Sequence, residues 1–314
     1  MTDRPLPLMT REVLDAFVED LVDVPVERDA PMAKRTTFGI GGPADVLVKP
    51  RDEAELLRVL GAVERAQLPL FVLGGGSNLL VSDRGIRGAV LALAGELATV
   101  DVKEGGAVIE VGAGASFPRL TRTALDLGWA PAVGWMGTPG QVGGALKMNA
   151  GTRDGEIGDV VVEVRAATSA TVCTLTREQA GFSYRNSRFP VGAVLTRAIL
   201  RCDDRKIDEA GELDRVAKEL LAKRHRTQPK LRSAGSIFKN PPGDYAGRLV
   251  EAAGLKGARH GNAQISDVHA NFVVNLGGAT ADDVVSLAER ARAEVSARFG
   301  VDLEWEVKRV GDFT

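Results

Sequence analysis

Apolar and polar residues alternate in short runs over the first two hundred positions, and glycine clusters separate these runs. Runs rich in β-branched residues predict strands at 44–48, 71–73, 90–93, 108–111 and 160–164. Apolar residues spaced three and four apart predict helices at 52–66 and 117–127, the second ending at Gly128. This first part therefore mixes strands and helices without a steady β-α-β alternation.

The pattern changes after Cys202. Residues 203–228 are highly charged but carry an apolar stripe through Leu213, Val216, Leu220 and Leu221, which predicts a helix. The remainder predicts helices at 246–253 and 280–300 and strands at 271–275 and 301–310. We therefore predict an α+β fold with an N-terminal helix and lead-in at 1–30, one domain at 31–204 and a second at 205–314.

Composition and charge narrow the class of protein. The 314 residues include 40 Lys plus Arg and 42 Asp plus Glu, so the net charge of −2 offers no general attraction to nucleic acid or to an anionic membrane. Residues 1–17 lack the apolar core of a signal peptide, and no later run resembles a membrane span. These features predict a cytoplasmic protein, and we expect a monomer.

Metal and disulfide chemistry has little support in the sequence. The two cysteines, Cys173 and Cys202, lie in separate strand-like runs and form no metal or redox motif. The histidines His225, His260 and His269 are scattered, without the i, i+4 spacing of a helical ligand pair. We predict no metal site and two buried structural thiols.

The first candidate binding motif is a triple glycine that follows a predicted strand. Gly74, Gly75 and Gly76 lack side chains, so their backbone N–H groups can approach an anion closely, and Ser77 and Asn78 add side-chain donors. A phosphate or pyrophosphate suits such a turn. A glycine-rich hairpin turn without a ligand is an equally good interpretation of an isolated motif.

A second glycine cluster follows at 134–151. Its candidate ligand-facing residues are Gly137, Thr138, Gly140, Gly143, Gly144, Asn149 and Gly151. Neither cluster matches the dinucleotide pattern G-x-G-x-x-G, and the chain contains no Gly-Lys pair, which excludes a P-loop. A nucleotide cofactor would have to bind in another way.

Polar residues that could carry chemistry occur in three later segments. Ser236 lies among small residues that leave its hydroxyl accessible, and Lys239 and Asn240 supply donors suited to phosphate, although a polar turn before a helix is the alternative. Arg185, beside Tyr184, suits a carboxylate but could equally be a solvated surface arginine. Strand alternation places Glu304 and Glu306 on one face, which by itself indicates only a solvent-facing pair.

Taken together and in this order, these segments resemble the UDP-N-acetylenolpyruvoylglucosamine reductases. The resemblance covers nearly the whole of this chain. The matching stretches are Thr-Thr-Phe-Gly-Ile-Gly-Gly-Pro-Ala at 36–44, Gly-Gly-Gly-Ser-Asn-Leu-Leu-Val at 74–81, the cluster around Gly137, Tyr-Arg-x-Ser-x-Phe at 184–189, Gly-Ser-Ile-Phe-Lys-Asn-Pro at 235–241, residues 252–255 and 262–275, and Glu306. Each motif is modest alone, but the ordered set is specific.

The resemblance implies an FAD-binding domain of the vanillyl-alcohol-oxidase type in two subdomains, followed by an α+β substrate-binding domain. In such enzymes NADPH reduces FAD, and the enolpyruvyl nucleotide sugar then receives hydride at C3. By position, Ser236 would deliver a proton to C2, Arg185 would pair with the substrate carboxylate, and Glu306 would help to polarise it. Tyr184, Arg185, Lys239 and Asn240 would contact the substrate, and the residues of both glycine clusters would contact FAD.

Some positions depart from the family pattern. Gly39 stands where an arginine is common, Thr138 where an isoleucine is common, and Trp305 where a proline is common. The interval between Arg185 and Ser236 contains no tyrosine, so the chain resembles the short form of the family, which lacks an inserted tyrosine loop. Arg224, Arg226 and Lys230 are then candidates for contact with the diphosphate.

Two other functions stay open from the sequence. Another FAD-dependent oxidoreductase on the same fold would share the N-terminal motifs but not the segments of Ser236 and Glu306. A flavin-binding or nucleotide-sugar-binding protein without turnover would share both. Loss of substrate reduction on changing Ser236 to Ala would separate an enzyme from such a binder.

Overall fold

The computed structural model describes residues 10–206 and 209–313. Its α-helices are α1 (Arg11–Glu19), α2 (Glu53–Arg65), α3 (Phe117–Asp126), α4 (Val142–Lys147), α5 (Arg177–Ala180), α6 (Ala210–Thr227), α7 (Ala246–Ala252) and α8 (Ala281–Phe299). Its strands are β1 (Val26–Pro31), β2 (Pro43–Val48), β3 (Leu70–Val72), β4 (Leu79–Val81), β5 (Ile86–Leu91), β6 (Val100–Lys103), β7 (Val108–Gly112), β8 (Gly151–Thr152), β9 (Gly155–Glu156), β10 (Val161–Ala167), β11 (Val172–Thr176), β12 (Val194–Arg201), β13 (Arg259–His260), β14 (Ala263–Ile265), β15 (Val273–Asn275) and β16 (Lys308–Val310).

The fold consists of two compact units, each assembled from separate stretches of chain. The first unit comprises the residues up to Arg28, Val46–Gly75 and Gly88–Leu221, and the second comprises Asp29–Asp45, Gly76–Arg87 and the chain from Ala222 onward. The triple glycine therefore contributes Gly74 and Gly75 to the first unit and Gly76 to the second.

Sheets form the framework of the molecule. The largest has the order β11-β10-β12-β7-β6 with antiparallel neighbours, and a four-stranded sheet has the order β1-β2-β5-β3, in which β3 runs parallel to β5. The second unit contains the antiparallel sheet β13-β14-β15 and the parallel pair β16-β4. Helices and sheets are both present, which agrees with the predicted α+β class.

Capping residues fix the ends of the predicted helices. Asp52 accepts a hydrogen bond from Glu55 N at 2.8 Å at the start of α2. Thr280 and Asp283 form a capping box at the start of α8, and Gly300 ends that helix in the left-handed conformation with φ +65°. The predictions of helices at 52–66 and 280–300 are confirmed.

Each unit has its own hydrophobic core. In the first unit the apolar face of α2 packs with the fully buried Trp129 and Trp135 among others. In the second unit Phe38, Ile237 and the apolar face of α8 form the core. Burial of one large apolar side chain contributes roughly 1.5–3 kcal/mol to the free energy of folding. Each core contains many such side chains and therefore holds in place the elements from which the surrounding loops extend.

The prediction of a strand over 301–310 is wrong for most of its length. Only Lys308–Val310 is a strand, and Trp305 makes one isolated bridge with Phe238. Leu303 and Val307 are buried while Glu304 is exposed. The alternation of apolar and polar residues therefore reflects which side chains are buried, although the backbone here forms no continuous ladder of hydrogen bonds with another strand. Glu304 is exposed and Glu306 is half-buried, so the two glutamates differ in exposure.

Two further features complete the fold. The predicted N-terminal segment at 1–30 contains α1, and its residues 1–9 lie outside the described part of the chain. Cys202 is buried as expected, whereas Cys173 is only half-buried. Among the helices that the structure describes, none is long and apolar enough to cross a membrane.

Candidate active site

The segment that carries Ser236 is held in the second unit by a buried asparagine. Asn271, 4% exposed, accepts from Phe238 N at 3.0 Å through Oδ1 and donates through Nδ2 to Phe238 O at 2.8 Å. Its backbone carbonyl accepts from Ile237 N at 2.8 Å. We call these three hydrogen bonds the Asn271 clasp. They fix the backbone immediately after Ser236.

Glu306 lies on the other side of the same segment. Its backbone N–H donates to Ile237 O at 2.8 Å, and its carbonyl accepts from Asn78 Nδ2 at 3.1 Å. Asn78 O in turn accepts from Lys308 N at 3.0 Å. The structure thus brings together the segments of three predicted residues, Ser236, Glu306 and Asn78, through two backbone hydrogen bonds and one from the Asn78 side chain.

The hydroxyl of Ser236 is half-buried and makes no hydrogen bond with any residue that the structure describes. Nearby, His269 Nδ1 accepts from Asn271 N at 3.1 Å, which assigns the ring proton of the neutral form to Nε2. Burial lowers the pKa of His269, so the ring is neutral at pH 7. The surroundings of Ser236 are therefore ordered while its own proton remains available.

Lys239 and Asn240 follow Ser236 on the surface. Lys239 Nζ pairs with Glu304 Oε2 at 3.0 Å, in an exposed ion pair of the kind that contributes only about 0–1 kcal/mol. Asn240 Oδ1 accepts from Ala246 N at 3.1 Å at the start of α7, and its Nδ2 has no partner in the described chain. Both residues can still donate to an added anion.

A cavity of about 380 Å³ lies in the second unit beyond this segment. Arg226 and Lys230 line it together with the exposed apolar side chains of Leu231 and Val268. Asp267 lines it as well, so the lining combines cations, a carboxylate and apolar side chains. Arg224, the third basic residue considered from the sequence, does not line it.

In the first unit the two glycine clusters meet. A Cβ on Gly75 would stand 2.5 Å from the Cα of Gly140, so the two backbones are in direct contact. Gly137 and Gly140 have φ of +75° and +112°, a conformation that favours glycine. The prediction from the triple glycine alone left a simple hairpin open, but β3 and β4 pair in different sheets, which excludes it.

These loops fit the phosphates of a nucleotide cofactor. Gly74 and Gly75 are accessible, and their backbone N–H groups have no acceptor among the described residues. Gly144 is exposed, with no atom within 4 Å of where its Cβ would be, while Gly143 packs on Ala113. Open amides on side-chain-free backbone are the groups that bind a pyrophosphate. Ser77 and Thr138 lie in the same loops.

Asn149 connects the second cluster to the turn that carries Arg185. Its Nδ2 donates to Glu156 Oε2 at 2.6 Å and to Ser183 O at 3.2 Å, and its Oδ1 accepts from Gly158 N at 3.0 Å. Both N–H groups of the carboxamide thereby donate to protein, so we expect Asn149 to shape the loop rather than to donate to a cofactor. Gly151, at φ +148°, continues this loop as part of β8.

Arg185 occupies a tight turn of the first unit. Ser183 and Asn186 exchange backbone hydrogen bonds of 3.0 Å, and Arg185 has a positive φ of +54°. Its guanidinium lies 5.7 Å from the ring centre of Tyr184, which is 73% exposed. Arg185 is half-buried and belongs to the first unit, while Ser236 and Glu306 belong to the second.

Among residues 10–206 and 209–313, no three His, Cys, Asp or Glu side chains are grouped so as to hold a metal. The supporting residues Asn271 and Thr37 received no role from the sequence, although both stand in stretches that carry the family resemblance. Each of the two polar residues stands next to a phenylalanine, Phe272 or Phe38, and this proximity to a large apolar residue was the only sequence feature that could have drawn attention to it.

Comparison with known proteins gives a consistent result. Residues 228–310 match the C-terminal domain of UDP-N-acetylenolpyruvoylglucosamine reductase, and residues 44–172 match an FAD binding domain. The reductase of Anaeromyxobacter sp. strain Fw109-5 is 47% identical over 95% of this chain and 92% of its own. That of Myxococcus xanthus is 43% identical over 96% of this chain and 98% of its own.

A solved structure agrees with these relatives. The crystal structure of UDP-N-acetylenolpyruvylglucosamine reductase from Thermus caldophilus has a TM-score of 0.79 and 41% identity, covering 91% of this chain and 99% of that one. The predicted fold class, a vanillyl-alcohol-oxidase type FAD-binding domain followed by an α+β domain, is confirmed.

Proposed function

Because the chain belongs to the UDP-N-acetylenolpyruvoylglucosamine reductase family, we propose that it reduces the enolpyruvyl group of UDP-N-acetylenolpyruvoylglucosamine to give UDP-N-acetylmuramate for peptidoglycan synthesis. When bound by the two glycine clusters, FAD would supply hydride transfer from NADPH to C3 of the enol ether. The observation that best supports the assignment of residues is the partnerless hydroxyl of Ser236, held between the Asn271 clasp and Glu306.

We propose that the two glycine clusters hold FAD. Their contact at Gly75 and Gly140 and the free amides of Gly74 and Gly75 support this assignment. The residues assigned to the cofactor are Gly74, Gly75, Gly76, Ser77, Asn78, Gly137, Thr138, Gly140, Gly143, Gly144, Asn149 and Gly151. Of these, Asn78 and Asn149 act through the backbone they fix, because their side-chain amides already bond to protein.

Ser236 delivers the proton in this proposal. Hydride addition at C3 leaves an electron pair at C2, and the Ser236 O–H bond breaks as the new C2–H bond forms. The alkoxide that remains takes a proton from water. A serine hydroxyl is a weak acid, so its position must be fixed against C2, and the Asn271 clasp provides that rigidity.

Arg185 stabilises the charge that develops before the proton arrives, and Glu306 helps to polarise the substrate carboxylate. A fixed guanidinium pairs with the substrate carboxylate, onto which the enolate charge spreads. Glu306 is half-buried, and its backbone is fixed to the Ser236 segment through Ile237. Tyr184 stacks with Arg185 and limits the orientations of its side chain.

The diphosphate and nucleoside belong to the second unit in this proposal. Lys239 and Asn240 contact the diphosphate, since an exposed ion pair with Glu304 is readily exchanged for a phosphate. Arg226 and Lys230 extend the positive charge along the cavity. We further propose that the enzyme acts in the cytoplasm as a monomer, which a mass measurement in solution would test.

The variant Ser236→Ala tests the proposal in two half-reactions. We expect NADPH to bleach the flavin at the parent rate, while return of the colour after addition of the enolpyruvyl nucleotide sugar slows by about 10²–10⁴-fold, the usual contribution of a positioned acid. Ser296→Ala is the matched control, because its hydroxyl bonds only to Asp302 on an exposed helix surface. A Ser236→Ala protein that regains colour at the parent rate contradicts the assignment.

A further inference from the structure

Thr37 joins the glycine turn to the segment of Ser236 within the second unit. Its backbone N–H donates to Gly76 O at 3.1 Å, and its hydroxyl donates to Ser233 O at 2.7 Å. The hydroxyl is also 3.4 Å from Gly76 O, which is longer than an ordinary O–H···O bond, so its single proton goes to Ser233. Thr37 thus contacts one loop through its backbone and the other through its side chain.

Neighbouring residues strengthen the same junction. Asn275 N donates to Arg232 O at 2.9 Å, and Asn275 Nδ2 donates to Phe38 O at 3.0 Å. The Arg232 side chain lies across Gly39, with Nη1 2.6 Å from where a Cβ would stand. Residues 37–39 therefore pack against residues 232–233. Of the contacts at this junction, the hydrogen bond from the Thr37 hydroxyl to Ser233 reaches the residue nearest to Ser236 in the sequence.

The turn between Ser233 and Ser236 needs such support. Gly235 has φ +81°, and a Cβ there would meet no atom within 4 Å, so this turn is open on one side. An isolated antiparallel bridge pairs Ser236 with Phe272, and the Asn271 clasp holds the two residues after it. Between the bridges at Arg232 and Ser236, Ser233 O receives the Thr37 hydroxyl, which is the side-chain contact on this stretch of backbone.

We propose that Thr37 is a positioning residue that sets the place of the Ser236 hydroxyl relative to the cofactor turn. It does not touch the reacting atoms; it acts through Ser233 on the proton donor. The proposal rests on the proposed function of Ser236. Thr37 itself is exposed, so removal of its hydroxyl leaves the hydrophobic core unchanged.

The experiment compares Thr37→Val, which removes the hydroxyl at nearly constant shape, with Thr37→Ser, which keeps it. Thr37→Ala is a second hydroxyl-free variant in case valine disturbs folding. Thr168→Val is the matched control, because it removes a similar hydroxyl-to-carbonyl bond, 3.1 Å to Thr171 O, in an exposed turn of the first unit. For each protein we measure the FAD dissociation constant, the bleaching by NADPH, and the return of colour with the nucleotide sugar in H₂O and D₂O.

We expect Thr37→Val and Thr37→Ala to slow the return of colour by about tenfold, a loss typical of one hydrogen bond. Bleaching and FAD affinity stay within about twofold of the parent, and the solvent isotope effect on colour return rises because proton delivery limits the rate more strongly. Thr37→Ser restores the parent behaviour, and Thr168→Val matches the parent throughout.

Three results would overturn the proposal. The first is colour return at the parent rate in both hydroxyl-free variants, and the second is a Thr37→Ser protein as slow as Thr37→Val. The third is an equal loss in FAD affinity and both half-reactions, which indicates general support of the fold. Failure of the parent itself to regain colour would instead contradict the proposed function, so the two failures are distinguishable.

Discussion

The contact between the two glycine clusters predicts the effect of a single methyl group. In Gly75→Ala the new Cβ would stand 2.5 Å from Gly140 Cα, 3.0 Å from its carbonyl carbon and 3.3 Å from Gln141 N. Carbon atoms in contact are normally about 3.5–4.0 Å apart, so the loops must separate by roughly 1 Å. Gly75 does not have a positive φ, so alanine adds no backbone strain and the whole effect comes from this overlap.

Overpacking of this kind costs about 1–3 kcal/mol. In the proposed FAD site the loops can relax apart without cofactor and FAD binds their closed arrangement, so we expect the cost in the binding free energy of FAD. This corresponds to FAD affinity weaker by about 5- to 140-fold.

The assay is a titration of apoprotein with FAD followed by flavin fluorescence, with thermal unfolding of the apoprotein measured beside it. Gly211→Ala is the control, because a Cβ at that position of α6 meets nothing within 4 Å. We expect the control to bind FAD like the parent. A Gly75→Ala protein with parent affinity and parent unfolding temperature would refute the argument from loop contact.

Three other substitutions test separate parts of the structure. A hydrogen bond from Arg51 lowers the pKa of the Glu55 carboxyl. Glu55→Gln should therefore lower the unfolding midpoint at pH 7, and the difference should shrink as the pH falls below 4.5 toward the lowered pKa. A difference that does not shrink over this range contradicts the prediction. Glu304→Gln removes the ion pair of Lys239, which can then bind the diphosphate without competition. We expect the KM for the nucleotide sugar to fall by about two- to fivefold with kcat unchanged. An unchanged KM would contradict the assignment of Lys239 to the substrate site. Asn271→Asp places a carboxylate against the carbonyl that the amide now bonds, and urea unfolding should show a loss of about 1–3 kcal/mol, whereas parent stability would contradict the clasp.

The sequence predicted the elements best where local chemistry decides them. Thr280 with Asp283 and the glycine at 300 specify both ends of α8, and Asp52 specifies the start of α2. Such caps depend on residues within one turn, so no tertiary information is needed. The prediction of a strand over 301–310 was wrong for most of its length for the opposite reason. Alternation of apolar and polar residues shows which side chains are buried, but strand pairing depends on a partner that is distant in the sequence.

The candidate site was only partly accessible to the same reasoning. The triple glycine indicated an anion-binding turn, but its contact with Gly140 joins positions 65 residues apart, which no local pattern encodes. Asn149 had the chemistry of a donor, and only the folded chain shows that protein groups already use its amide. The roles of Arg185, Ser236 and Glu306 came from resemblance to a family and stay predictions.

The domain boundaries drawn at positions 30 and 204 also stay a prediction. The structure builds its second unit from residues 29–45 and 76–87 together with the chain after 221. A change of composition along the chain detects the last of these segments. It cannot detect the first two, because their membership is decided by packing against residues far away in sequence.

The most direct test of the central claim is an anaerobic titration of the purified parent, followed by visible absorption. We predict a flavin spectrum that bleaches when NADPH is added and returns fully when UDP-N-acetylenolpyruvoylglucosamine is added, with one UDP-N-acetylmuramate formed per flavin. A spectrum that bleaches but does not recover with this substrate, or a protein that binds no flavin, would contradict the account.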